Sequence, residues 1–119
     1  MVADAVRLSL RVAATDAARG AAIDAWLQDP AVAAASRRVI IAEGVLFGRA
    51  GPQGVPLIGL AAGCPCCAGS VALRVTLGRT LRSTRPECLL LLVATVEHLP
   101  RLRRMLEQGE LGVSFEVDA

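Results

Sequence analysis

Val6, Leu8, Leu10 and Val12 alternate with Arg7, Ser9 and Arg11, and this period of two predicts a strand with one buried face. Thr15 or Asp16 can cap the next segment, where Ala18, Ala22, Ala25 and Trp26 recur at helical spacing until Pro30. Arg37-Arg38 leads into a short buried strand, Val39-Ile40-Ile41, ending at Ala42-Glu43-Gly44. Residues 48–54 hold three glycines and Pro52 and predict a loop. Residues 55–60 are a further apolar strand that runs into Cys64-Pro65-Cys66-Cys67. Leu73, Leu77 and Leu81 then stand four apart, with Arg74, Arg79 and Arg82 off that stripe, as in an amphipathic helix. Residues 89–94 predict a continuous buried strand, and Leu99, Leu102 and Leu106 a helix with Pro100 near its first turn and Gly109 past its end. Val113, Phe115 and Val117 alternate with Ser114, Glu116 and Asp118, a second half-buried strand.

Strands alternating with helices predict an α/β fold: three layers, with a mainly parallel sheet of about five strands and helices packed on it. The wholly apolar strands belong in the middle, and the two alternating ones nearer the edges. In such a sheet ligands bind outside the carboxyl ends of the strands. Glu43, the 64–67 loop, His98 and Thr15-Asp16 all follow strands and so share that edge. Cys88 opens its strand and belongs at the opposite edge, about 20 Å away at about 3.3 Å per residue.

At 119 residues the chain is one domain, 1–119, large enough for a core without staples. With 54% hydrophobic and only 3% aromatic residues, that core rests on Ala, Leu and Val. Thirteen arginines against 11 acids leave a net charge of +2, too weak to imply nucleic acid, and no aromatic residues sit among the arginines for stacking. The longest uncharged apolar run, Cys88 to Val96, is about half of what a bilayer span needs, so no membrane is expected. Arg7 and Arg11 interrupt any signal-peptide core, and a cytoplasmic, thiol-reducing compartment is the expectation.

Three of the four cysteines fall within the stretch GLAAGCPCCAGS, residues 59–70. Adjacent cysteines such as Cys66 and Cys67 bridge each other only with strain, and one knot of thiols is not a secreted disulfide framework. Metal binding, redox chemistry and inert packing remain. A loop just before a helix offers free backbone N–H groups and the positive end of the dipole, which stabilise thiolate, the form that binds metal. Three protein ligands with an open position suit metal exchange more than a permanent structural site. His98 is the lone histidine, which is more often a surface or capping residue than a ligand; Glu43 reads more readily as a solvated loop residue than as a ligand. Residues 12–27 hold the strand-loop-helix place of a phosphate loop but carry one glycine and no lysine.

Taken together, Gly63-Cys64-Pro65-Cys66-Cys67 after an apolar strand, Val39 to Gly44, and Leu91 to Pro100 resemble the nucleotide-binding domain of the CobW-like P-loop GTPases, a family of metallochaperones and cobalamin-synthesis proteins. Its hallmark is a Gly-Cys-x-Cys-Cys loop between a strand and a helix. Its Asn-Glu-Phe-Gly strand end matches with Glu43 on the glutamate and Ala42 where asparagine would be. A gapless register sets Arg19 at the phosphate-loop lysine and Gly20 at its hydroxyl residue, while Val93 and Val96 replace an acidic residue and a glycine after the fourth core strand. On this resemblance the 119 residues end before the family's guanine-recognition loop, and no C-terminal domain is expected.

The resemblance implies a P-loop-NTPase-like fold in which the metal loop is kept and the GTPase machinery is erased. It implies zinc or cobalt held by Cys64, Cys66 and Cys67 with Glu43 and His98, no bound nucleotide, and no GTP hydrolysis. A metal carrier or metal-dependent regulator follows, with a client metalloprotein or a second copy of the chain as partner. Two other readings stand beside it: a thiol-disulfide protein using the C-x-x-C of Cys64 and Cys67, and a plain interaction module.

Overall fold

The computed structural model describes residues 5–44, 49–60, 68–97, 99–108 and 114–118. Along the chain run β1 (Ala5–Val12), α1 (Asp16–Gln28), α2 (Pro30–Ala34), β2 (Arg38–Glu43), β3 (Arg49–Ala50), a 3-10 turn (Pro52–Gly54), β4 (Pro56–Leu60), α3 (Ala68–Ser83), β5 (Cys88–Val93), α4 (Leu99–Glu107) and β6 (Ser114–Asp118). The sheet order is β3-β4-β2-β5-β1-β6. The five longer strands are parallel, and the two-residue β3 pairs antiparallel with β4 at one edge. The chain is an α/β fold, as the alternation of elements predicts.

The side chains of the central strands divide between two cores. Val39, Ile41, Leu89, Leu91 and Val93 pack with Leu73, Leu77 and Leu81 of α3 and with Leu102, Met105 and Leu106 of α4. Their chain neighbours Ile40, Ala42, Leu90 and Leu92 face Ile23, Trp26 and Leu27 of α1 and Val32 of α2. A strand covered on both faces has no use for a polar alternate, which is why β2 and β5 read as continuous apolar runs. β1 lies one strand in from the edge. Its Val6, Leu8 and Leu10 join the α3/α4 core. On its other face Arg7 reaches Asp29 at 3.9 Å and Ser9 is buried.

Three local expectations shift. The α1 stripe is Ile23, Trp26 and Leu27, whereas Ala25 is exposed. The buried indole Nε1 of Trp26 has no hydrogen-bond acceptor among the described residues. Pro30 does stop α1, but it also opens α2, with Asp29 accepting the Ala31 amide at 2.9 Å. Proline tolerates a first helical turn because its missing N–H would be unsatisfied there anyway. The loop expected over 48–54 contains β3 and the 3-10 turn. Among the described residues no helix is long and apolar enough to cross a membrane.

Cys88 occupies the place its position predicts. It pairs in register with Arg7 and Arg38, at the amino end of the sheet, and is buried with Sγ 4.0 Å from the Ala31 carbonyl oxygen. Burial pushes its thiol pKa above the ordinary value.

Candidate functional site

At the carboxyl edge, Ala13 N–H continues the β1–β5 ladder by donating to the Val93 carbonyl at 2.8 Å. Residues 13–15 then turn directly into α1, where the Thr15 hydroxyl oxygen accepts the Ala18 amide at 3.1 Å. The Arg19 amide donates to the Thr15 carbonyl at 2.9 Å. Asp16 lies in the first turn, where a carboxylate is favoured by the helix dipole.

Glu43 ends β2 and is only 8% exposed. A buried carboxylate needs hydrogen-bond donors, and its Oε1 accepts the Ala94 amide at 2.8 Å, just past the end of β5. The side chain thereby ties the carboxyl ends of two neighbouring strands together. Its backbone carbonyl accepts a long bond, 3.4 Å, from Arg19 Nη1, and Arg19 Nη2 meets Asp16 Oδ1 at 2.7 Å. The Arg19 side chain is 14% exposed and Asp16 is almost fully exposed, so the pair closes the rim over the buried Glu43 carbonyl. Gly44 follows at φ +89, and a Cβ there would lie 3.1 Å from Arg19 Nη1. Glycine is needed twice over, for the left-handed backbone and for the room the guanidinium takes.

Glu43 pairs in register with Leu60, the last residue of β4, and the Gly44 amide donates to the Leu60 carbonyl at 2.8 Å. The segment bearing Cys64, Cys66 and Cys67 is thus joined to the sheet beside Glu43, between Leu60 and the start of α3 at Ala68. Those three cysteines and His98 lie outside the described residues. Among the described residues there is no group of three or more His, Cys, Asp or Glu arranged to hold a metal ion.

Comparison of the chain with protein-family models, with curated proteins and with solved structures finds no match.

Two features of this edge are not legible in the sequence. Glu43 reads in sequence as either a solvated loop residue or a ligand; the fold buries it. The CobW-like register sets Arg19 at a phosphate-loop lysine, yet its guanidinium is engaged by Asp16 and the Glu43 carbonyl. A faint signal for the first was an acid ending a wholly apolar strand. For the second it was the helical i, i+3 spacing of Asp16 and Arg19.

Proposed function

We propose that the carboxyl edge of the sheet binds a thiophilic divalent metal, zinc or cobalt, through Cys64, Cys66 and Cys67 with Glu43 and His98. In this reading the chain serves as a CobW-like metal carrier or metal-dependent regulator that does not hydrolyse GTP. The observation that carries the proposal is the buried Glu43 carboxylate, held by the Ala94 amide beside the strand end that leads into the cysteine segment.

The donor chemistry fits. Thiolate sulfur, imidazole nitrogen and carboxylate oxygen are the ligand types zinc accepts, and soft thiolates select zinc or cobalt over magnesium. Ligating carboxylates are characteristically oriented by a further hydrogen bond, and the Ala94 amide supplies one. Arg19 and Gly44 fix the end of β2 and so keep that carboxylate in place. A metal bound there would supply a transferable cation and hold the deprotonated thiolates.

The β1–α1 connection supports the absence of nucleotide chemistry. A phosphate loop needs a run of free amides, glycines and a lysine. Here Ala18 and Arg19 N–H are spent on Thr15, and the guanidinium is spent on Asp16 and Glu43.

Cobalt(II) added to the reduced protein is expected to give a thiolate charge-transfer band with about one site per chain. Changing Cys64, Cys66 and Cys67 together to Ser is expected to abolish it, and a band that survives refutes the assignment. Titration with GTP and magnesium is expected to show no heat of binding; micromolar affinity would refute the retired-GTPase part alone. The competing disulfide-exchange reading draws on Cys67 directly preceding α3, since a helix N-terminus favours thiolate. A thiol pKa well below the ordinary range together with no cobalt band would favour it.

A further inference from the structure

The amino edge of the sheet, remote from Glu43, holds a cavity of about 290 Å³ whose lining includes Ser36, Arg37, Arg38, Gln53, Val55 and Thr84. The lining is drawn from the lead-in to β2, the turn before β4 and the end of α3. Among the described residues two acids stand at this edge: Asp29 is turned to Arg7, and Glu87 is held by the lining itself, through Ser36 and the backbone of Arg37. Asp29 faces Arg7 at 3.9 Å. Glu87 Oε1 accepts the Ser36 amide, the Ser36 hydroxyl and the Arg37 amide at 3.0, 2.9 and 3.1 Å.

The guanidinium groups are differently placed. Arg37 Nε donates to the Arg85 carbonyl at 2.7 Å, and Arg38 Nη1 to Gln53 Oε1 at 3.4 Å. Each guanidinium carries five N–H donors, and the others on Arg37 and Arg38 meet no acceptor among the described residues. Neither arginine forms an ion pair among those residues. The two acceptors that orient them have an uncommon backbone. Gln53 at φ +57 and Arg85 at φ +49 are the non-glycine residues with left-handed φ in the described chain. Side-chain-bearing residues adopt that region at a cost, and such positions concentrate where a site is held in shape. Arg85 offers its backbone carbonyl to Arg37, and Gln53 its side-chain Oε1 to Arg38.

We propose that this cavity binds a phosphate-type oxyanion, free or as a small phosphate monoester, with Arg37 and Arg38 as its recognition forks. Planar guanidinium pairs with phosphate oxygens through two parallel hydrogen bonds. Thr84 lines the same cavity, and Val55 with Pro56 adds apolar lining for a small organic group. The volume sits at the lower end of the small-molecule range, which favours a ligand of few heavy atoms over a nucleotide. The site is independent of the metal reading, being at the other end of the strands.

Titration of ¹⁵N-labelled full-length protein with inorganic phosphate, and separately with glycerol phosphate, at an ionic strength held constant with NaCl, tests it. Saturable shifts are expected at the amides of Ser36, Arg37, Gly54 and Thr84. The double variant Arg37→Gln/Arg38→Gln is expected to bind at least about tenfold more weakly with its fold intact by circular dichroism. Should that variant not fold, Arg37→Lys/Arg38→Lys retains the charge without the fork, and weakened binding is again expected. Tighter binding of the ester identifies a phosphorylated small molecule, and equal binding identifies the free ion. Shifts that NaCl alone reproduces, that fail to saturate, or that persist undiminished in whichever double variant folds overturn the proposal.

Discussion

Glu43 and Glu87 are both glutamates at strand ends, and their surroundings give them different work. Glu43 is buried at the carboxyl end of β2 and holds the Ala94 amide. Glu87 is exposed just before β5 and gathers Ser36 and Arg37. Those hydrogen bonds, led by the Ser36 side chain, favour the ionised form and lower its pKa from the ordinary 4.5. A carboxyl lowered in the folded state stabilises the protein above its unfolded pKa, and that contribution is lost as pH falls through the folded pKa. Glu87→Gln is therefore expected to lower the melting temperature slightly near neutrality, with the gap closing as the pH falls below the ordinary carboxyl value and through the lowered folded one. Thermal melts of both proteins across that range check it, and a gap independent of pH would show that the charge is irrelevant.

Among the elements, the end of β2 is held at Gly44, whose amide donates to the Leu60 carbonyl and whose place lies beside Arg19. Gly44 and Gly54 both have left-handed backbone, at φ +89 and +73. They differ in space: a Cβ on Gly44 meets Arg19 Nη1 at 3.1 Å, whereas one on Gly54 meets nothing within 4 Å. Alanine at Gly54 is expected to cost about 1 kcal/mol from backbone strain alone. Alanine at Gly44 is expected to cost more, about 2 kcal/mol, because Arg19 must also give up its bond to the Glu43 carbonyl. Urea denaturation of the two variants measures the difference, and equal losses would mean that Arg19 does not brace the strand end. At the other end of that contact, Thr15 caps α1. Thr15→Ala is expected to cost about 1 kcal/mol by leaving the Ala18 amide without its acceptor.

At the scale of the whole molecule, the parallel sheet puts Cys88 and the end of β4 at opposite edges. Cys88 starts β5 beside Arg7 and Arg38, whereas the cysteine segment follows Leu60 at the far end of the strands. Cys88→Ala is expected to keep cobalt affinity while costing about 1 kcal/mol of stability, as a small buried truncation does. A variant that folds yet binds cobalt much more weakly would bring down the open-site reading. The same burial raises the Cys88 pKa. The stability that goes with its neutral form is complete below the ordinary thiol pKa and is lost as pH rises through the folded value.

Periodicity along the chain was enough to establish the class of fold. Whether a strand alternates, as β1 and β6 do, or runs apolar throughout, as β2 and β5 do, depends on which faces are covered, and that is written into consecutive residues. The Thr15 cap and the Pro30 break were legible for the same reason, since each acts on backbone groups within a turn of itself. The cysteine motif was legible as a motif, its spacing being local. Only the tertiary structure decided that β5 inserts between β2 and β1, because strand order is settled by pairings between residues far apart in sequence. From that order follow the burial of Glu43 under Ala94 and the seating of Arg19 against Glu43. The convergence of Arg37, Arg38, Gln53 and Thr84 on one cavity likewise needs three separate elements to meet. Each of these joins residues whose neighbours in sequence say nothing of one another, so only the packed sheet could bring them together.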